Sequence, residues 1–451
     1  MDTTTLTNLL RDQNPWWENA VTRRAIDRPF KRFPFARLFE QLCQVQSQRA
    51  VILMGPRQVG KTVLLRQIID ALLDTGYPAP NLVYCNFDDP RLIDQVSLKD
   101  VVDCTPINRA GYLQELPTTF IFDEVHFSPQ WDMWLKRFVD EARGRFLLTD
   151  SLAHLLRTGM ESGQGRWYEI RIGSLSFAEF YHLRHGPAEV DSLIAHQEVR
   201  AYLLQGGYPQ HVYATNVKEV HQLLRDDIMS KAIARDLERT FKVRRLDSLE
   251  KLFVALVGES GSIFEATGRS NDLRVPRQTV VDWLHCLEDT GLLRQLPAYS
   301  TNLHTQLRTH PKVYATDPGL VAAFSASVDA WENRGRLVEA AVFRHAEEFC
   351  RVRGGGVHFY RKGRLKADFV LCLPEGTVVA EVTAAETPRS PKHHTLARVA
   401  TEIGTSEALL IYYGLQEDCR SEGNIRLRYI PLWQFLYRCC HPSTQTLSSL
   451  W

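Results

Sequence analysis

Gly55, Gly60, Lys61 and Thr62 follow the spacing Gly-x-x-x-x-Gly-Lys-Thr, directly after the apolar run Arg49 to Met54 and directly before a helix-like stretch. Glycines at these positions let the backbone curl until its N–H groups, and those of the following helix tip, converge on an anion. A strand that enters a helix through such a loop belongs to a parallel βα sheet, because parallel neighbours need a crossover between them. Four further apolar runs match that demand: Asn81 to Phe87, Thr118 to Phe122, Arg145 to Thr149 and Trp167 to Ile172. All are apolar enough for strands covered on both faces. The fold class expected for this part is α/β, a P-loop NTPase parallel sheet.

The chemistry follows from the residue types. Gly55, Pro56, Arg57, Gln58, Val59, Gly60, Lys61, Thr62 and Val63 form the expected cradle for ATP, with Lys61 on the β- and γ-phosphates and the Thr62 hydroxyl on Mg²⁺. The run ending at Phe122 continues into Asp123 and Glu124. An acidic pair after a strand is by itself an ordinary loop start. Behind a glycine loop it gains roles: Asp123 holds Mg²⁺, and Glu124 polarises the attacking water as general base. Thr149 or Ser151, closing another strand, is placed to orient that water. Arg166 is read either as a surface arginine or as positive charge for the transition state, in its own subunit or a neighbour's.

A chain of 451 residues exceeds one ordinary hydrophobic core, so several domains are expected. Its 54 basic residues nearly cancel its 53 acidic ones, a balance that neither requires nor excludes a polyanion partner. Nine scattered cysteines without paired C-x-x-C spacing argue against zinc and against a disulfide framework. Nowhere do about eighteen apolar residues run together, and the N-terminus lacks a signal-like pattern, so a cytoplasmic protein without membrane insertion is expected.

Beyond the presumed sheet, helical periodicity runs from Leu193 to Asp289, and Leu249 to Leu296 reads helix, helix, helix, short strand, which suits a winged helix. There Arg274, Arg277, Gln278 and Thr279 gather at one helix start that would enter a DNA groove, while Val280, Val281, Trp283, Leu284 and Leu287 face a core. Many such folds only contact protein. Near the N-terminus, Trp16, Trp17, Phe30 and Phe33 read as an aromatic brace on the sheet domain, with a nucleic-acid or subunit contact as the alternative.

The segments NPWW (from Asn14), GPRQVGKT (from Gly55), NFDDP (from Asn86), FIFDEVH (from Phe120), GGYP (from Gly206), ARD (from Ala234) and KVYATDPGL (from Lys312) occur in an order that resembles one family. These are the prokaryotic AAA+-like ATPases whose C-terminal half ends in a restriction-endonuclease-like domain. The resemblance implies three parts: residues 1–185, a P-loop ATPase domain with an N-terminal brace; 186–325, a helical and winged-helix region; and 326–451, a mixed α/β restriction-endonuclease-like domain. It also implies self-association, and DNA as a partner. The resemblance puts Asp368, Glu381 and Glu339 at a candidate metal site of the nuclease type.

Two departures stand out. Asp150 occupies a position where the family usually has glycine, and an extra carboxylate there would repel a γ-phosphate. Thr383 stands where the nuclease motif has lysine, leaving Lys362, Lys366 or Lys392 as substitutes. The function expected is an ATP-hydrolysing molecular switch coupled to a nuclease-like, nucleic-acid-associated half. A non-nucleolytic scaffold that controls a partner protein is the first alternative, and an active ATP-regulated endonuclease the second.

Overall fold

The structure, a computed structural model, describes residues 1–18, 29–44, 49–105, 117–151, 165–187, 189–229, 233, 237, 245–327, 329–387 and 390–450, with the side chains of 390–392 excepted. The chain forms two compact units, Met1–Ile172 and Gly173–Trp451.

The first unit is built on five parallel strands, β1 (Ala50–Met54), β2 (Leu82–Asn86), β3 (Thr119–Asp123), β4 (Arg145–Asp150) and β5 (Trp167–Arg171). These are the runs picked out by their apolar character, each within two residues. Their order across the sheet is β2-β3-β4-β1-β5. Sequence neighbours β1 and β2 are thus separated by β3 and β4, and the chain reverses direction across the sheet beside β1. Such a reversal opens a crevice at the carboxyl ends of parallel strands. β1 and β3 are buried at every position, because helices cover both faces. Phe120, Phe122, Phe138 and Phe146 stack through one side of this core.

The helices of this unit are α1 (Thr3–Gln13), α2 (Pro34–Cys43), α3 (Lys61–Asp74), α4 (Leu98–Asp103) and α5 (Trp131–Asp140). Asp2 caps α1 by accepting from the N–H groups of Thr4 and Thr5. The turn after α1 then satisfies β2, the edge of the sheet. Asn14 exchanges two hydrogen bonds with the backbone of Tyr84, at 2.8 and 2.6 Å, and the indoles of Trp16 and Trp17 both donate to the Leu82 carbonyl. An exposed strand edge invites pairing with another chain, and these side chains occupy its polar groups.

The second unit opens with α6 (Phe177–His185), α7 (Ser192–Gln205) and α8 (Val217–Asp227). There follow α9 (Leu246–Gly258), β6 (Ser262–Ile263), α10 (Ala266–Leu273), α11 (Arg277–Asp289), β7 (Leu293–Leu296), α12 (Leu303–Arg308) and β8 (Lys312–Ala315). β6, β8 and β7 form a three-stranded antiparallel sheet in that order. On α11, Val280, Trp283, Leu284 and Leu287 are buried as their spacing predicts, while Val281 is only half-buried, at the margin of the apolar stripe.

α13 (Pro318–Ala323) and α14 (Arg334–Val352) lead into a six-stranded mixed sheet. Its strands are β9 (Gly356–Lys362), β10 (Leu365–Leu373), β11 (Gly376–Thr383), β12 (Glu407–Tyr412), β13 (Asp418–Glu422) and β14 (Ile425–Pro431), ordered β13-β14-β12-β11-β10-β9. α15 (Ser390–Ile403) and α16 (Leu432–Cys440) complete it. β9, β10 and β11 are antiparallel neighbours, whereas β11, β12 and β14 run parallel.

Buried Asp317 ties two of the quoted segments together. It caps α13 through the Gly319 N–H at 2.8 Å and accepts the Gly207 N–H and the Ser174 hydroxyl. The segments GGYP and DPGL are therefore one structural fastening. All nine cysteines are free, and among the described residues no helix is long and apolar enough to cross a membrane.

Candidate functional site

The loop from Gly55 to Gly60 leaves the carboxyl end of β1 and enters α3. A side chain at Gly55 would meet the Ile172 carbonyl at 2.3 Å, and Gly60 has φ +94°, so glycine is required at both. Arg32 braces the loop from outside by donating to the Val59 carbonyl at 2.8 Å. Gly60 offers no side chain to cap α3, so the first N–H groups of the helix remain directed at whatever the loop encloses. Lys61 is buried, and its ammonium contacts the carbonyls of Gly55 at 2.9 Å and Pro56 at 3.0 Å and the Ser151 hydroxyl at 3.1 Å.

Because the strands are parallel, the ends of β1, β3 and β4 lie on one side, with β4 in the middle. Thr62 donates to Asp123 at 2.7 Å. Thr149 also donates to Asp123, and its oxygen accepts the Glu124 backbone N–H at 2.9 Å. The third donor to Asp123 is Tyr84, from β2, at 3.1 Å. Sequence reasoning missed this tyrosine. Its signal was a hydroxyl tip in the middle of an apolar run.

Glu124 has left-handed backbone, φ +51°, which turns its side chain back toward the loop. Its carboxylate lies 3.6 Å from Lys61, accepts from Ser151 at 2.6 Å and lies 3.5 Å from His126 Nδ1. Burial alone would raise the Glu124 carboxyl, but Lys61, His126 and the Ser151 hydrogen bond outweigh it and hold the group below the usual carboxylate range. Asp123 goes the other way: burial and the adjacent Glu124 push it up, against its hydroxyl donors and Lys61. The two acids thus differ in environment although they are neighbours in sequence.

Of the residues singled out from sequence, Lys61, Thr62, Asp123, Glu124, Thr149 and Ser151 are therefore brought together. Arg166 is not. It precedes β5, whose first residue pairs with Ala50 at the amino end of β1, and its guanidinium binds Asp140 at 2.7 Å. The length of β1, ~13 Å of strand, separates it from the loop. A role for Arg166 within its own site is corrected by this register.

The residues fit a nucleotide with its metal. Thr62 and Asp123 place two oxygens 2.7 Å apart beside the loop, where Thr62 directly and Asp123 through water could hold Mg²⁺. The glycine loop and uncapped helix tip supply donors without side-chain bulk.

A second cluster lies in the other unit. Glu339, on α14, accepts from the Tyr314 hydroxyl at 2.6 Å and from Lys312 at 3.1 Å. Lys312 is also 4.0 Å from Asp368. Asp368 sits where the β9–β10 register shifts between Ala367 and Val370, and it accepts the Val382 N–H at 3.0 Å, beside Glu381. Burial and the neighbouring Asp368 push the Glu339 carboxyl up. Among the described residues no group of three or more His, Cys, Asp or Glu is arranged to hold a metal ion, so the expected metal site of Asp368, Glu381 and Glu339 is not formed as such. The Lys312 ammonium instead sits against two of the acids, 3.1 Å from Glu339 and 4.0 Å from Asp368. Of the lysines considered from sequence, Lys362 pairs with Glu402, Lys366 is exposed, and the Lys392 side chain lies outside the described residues.

Residues 47–181 match an AAA domain, and residues 196–330 match a domain of unknown function (DUF8612). An uncharacterized protein of Haemophilus influenzae is 25% identical over 293 residues, covering 62% of this chain and 70% of its own length. Two uncharacterized proteins of Methanocaldococcus jannaschii are 22% identical over 330 residues (71% of each chain) and 24% identical over 439 residues (90% of this chain, 89% of the relative). Among solved structures, the S. cerevisiae Hsp104-ADP complex has a TM-score of 0.30 at 13% identity, over 58% of this chain and 50% of that one. C. elegans PCH-2 has 0.24 at 17%, over 37% of this chain and 44% of that one. This chain therefore spans half or less of those two structures. The parallel sheet with its glycine loop is of the P-loop NTPase kind. Within that class, residues 47–181 are similar to an AAA domain.

Proposed function

We propose that the first unit binds and hydrolyses ATP with Mg²⁺, and that its nucleotide state controls the second unit as a molecular switch. The observation that carries this reading is the meeting of Lys61, Thr62, Asp123 and Glu124 at one end of the sheet, with Thr62 2.7 Å from Asp123 and Lys61 3.6 Å from Glu124. Lys61 would exchange its loop carbonyls for phosphate oxygens, and backbone N–H groups of residues 55–63 would bind the rest of the anion. Thr62 and Asp123 would hold Mg²⁺, which neutralises phosphate charge. Glu124, ionised, accepts a proton from water, and Thr149 fixes its backbone while Ser151 fixes its carboxylate. Phosphate release from Mg·ATP, compared with the same protein in excess EDTA, tests the reading; equal rates would overturn it.

For the second unit the order helix, strand, helix, helix, strand, short helix, strand over residues 246–315 supports a winged-helix reading, with exposed Arg274, Arg277 and Gln278 as a DNA-facing edge. The mixed sheet after residue 355 supports the restriction-endonuclease-like one. Lys312 against Glu339 and Asp368 favours a non-nucleolytic platform over an active endonuclease. Self-association would give the half-buried Arg166, now paired with Asp140, a neighbour's site to serve.

A further inference from the structure

The buried surroundings of Glu124 include a side chain that the phosphate-loop reading does not use. His126 lies in the short 3-10 turn Val125–Phe127, which the left-handed backbone of Glu124 starts. That turn brings the imidazole back against the strand ends, almost fully buried. Its Nδ1 is 3.5 Å from Glu124 Oε2 and 3.2 Å from Asp150 Oδ1.

Asp150 is the last residue of β4 and is completely buried. Its carbonyl accepts the Gly55 N–H at 3.3 Å, so its backbone is pinned beside the phosphate loop while its carboxylate contacts His126. The extra carboxylate expected to repel a phosphate has instead a base-bearing ring as its partner. Two carboxylates facing one ring nitrogen require that nitrogen to carry a hydrogen, since a lone pair there would repel both. Asp150 and Glu124 therefore hold the ring between them by charge, through ion-pair-range contacts to one nitrogen at 3.2 and 3.5 Å. The other groups facing this carboxylate are Lys61 from α3, Ser151 from the end of β4 and Arg57 from the loop.

We infer that His126, backed by Asp150, is a positioning residue that keeps the Glu124 carboxylate aimed for proton transfer. The inference rests on the reading of Glu124 as general base. Lys61 and Ser151 also hold this carboxylate, but Lys61 must turn toward phosphate when a nucleotide enters the loop. His126 and Ser151 lie outside the loop that would close on phosphate, and His126 is itself held by a second acid.

The test uses the full chain and two separate readouts: single-turnover hydrolysis of ATP, and equilibrium affinity for a fluorescent ATP analogue. His126→Ala is expected to slow turnover about three- to thirtyfold, the size of one close buried charge contact, with affinity changed less than about threefold. His126→Gln, which keeps an N–H donor, is expected to recover part of that loss. Asp150→Asn should slow turnover about three- to tenfold, and the double variant His126→Ala/Asp150→Asn should be no slower than His126→Ala alone, because both act through one contact. Unchanged turnover in His126→Ala, or fully additive losses in the double variant, would overturn the inference. If His126→Ala does not fold, the near-isosteric Asp150→Asn and His126→Gln decide it by the same criteria. Glu124→Gln run in parallel separates the two claims: normal turnover there removes the base itself, whereas slow turnover there with fast His126→Ala removes only the positioning role.

Discussion

The Lys61 ammonium stands 3.6 Å from the Glu124 carboxylate, so the cation of the phosphate loop and the acid proposed as base share one charge balance. Lys61 cannot serve phosphate without loosening its hold on Glu124. If the proposed function holds, nucleotide entry and readiness of the base would be linked by that one contact.

Lys61→Ala is expected to weaken ATP binding about a hundredfold, since it removes a buried charge-assisted contact to phosphate. Titration calorimetry checks it, and an unchanged Kd would show that the loop holds no triphosphate.

Glu124→Gln keeps the shape of the side chain and its hydrogen bond with Ser151 but cannot take a proton. Turnover should fall by about 10² to 10⁴ while ATP affinity is retained. Phosphate-release kinetics at saturating ATP read this out; turnover within twofold of the parent would eliminate Glu124 as base.

Arg274 and Arg277 are exposed at the start of α11. Replacing both by alanine should weaken binding to duplex DNA and lower the salt slope of log K by about two. If neither changes, the winged-helix edge does not contact phosphate.

Lys312→Met leaves Glu339 and Asp368 without their shared cation. The expected cost is about 1 to 3 kcal/mol of stability in the second unit, discounted for the partial exposure of all three groups. Added Mn²⁺ should restore some of it in the variant, and should do so less when Asp368→Asn is combined. Thermal melts with and without Mn²⁺ check both points, and a variant as stable as the parent would mean that Lys312 balances nothing.

His345 is fully buried, donates from Nδ1 to the Ala341 carbonyl at 2.7 Å and accepts the Phe177 N–H on Nε2 at 2.9 Å. Burial and the adjacent Arg344 hold its pKa well below the ordinary 6.5, so the folded ring stays neutral. Acidification below about pH 6.5 then protonates the unfolded chain first, and stability falls as pH drops through that window; above it the group contributes no slope. His345→Gln should reduce the slope of unfolding free energy between pH 6.5 and 5 by up to about 1.4 kcal/mol per pH unit. Denaturant melts across that range measure it, and an unaltered slope would contradict a neutral His345.

How much of this was legible beforehand depends on the range of the interaction. The five apolar runs became β1 to β5 because strand burial is written into consecutive residues, and Gly55, Gly60, Lys61 and Thr62 announced their loop because local backbone geometry demands those types. The alternation on α11 likewise placed Val280, Trp283, Leu284 and Leu287 inward. Each of these is a relation among neighbours along the chain, and a sequence records such relations directly.

The partners of those residues were decided elsewhere. That β4 lies between β1 and β3, so that Ser151 reaches Lys61 and Thr149 reaches Asp123, follows from the order in which strands pack. So does the removal of Arg166 to the far end of β1, the approach of Asp150 to His126, and the seating of Lys312 among acids that come from a later helix and strand. Local propensity fixes which segments become strands and loops. Only burial of the whole chain, which pairs segments far apart in sequence, selects which charge ends up facing which.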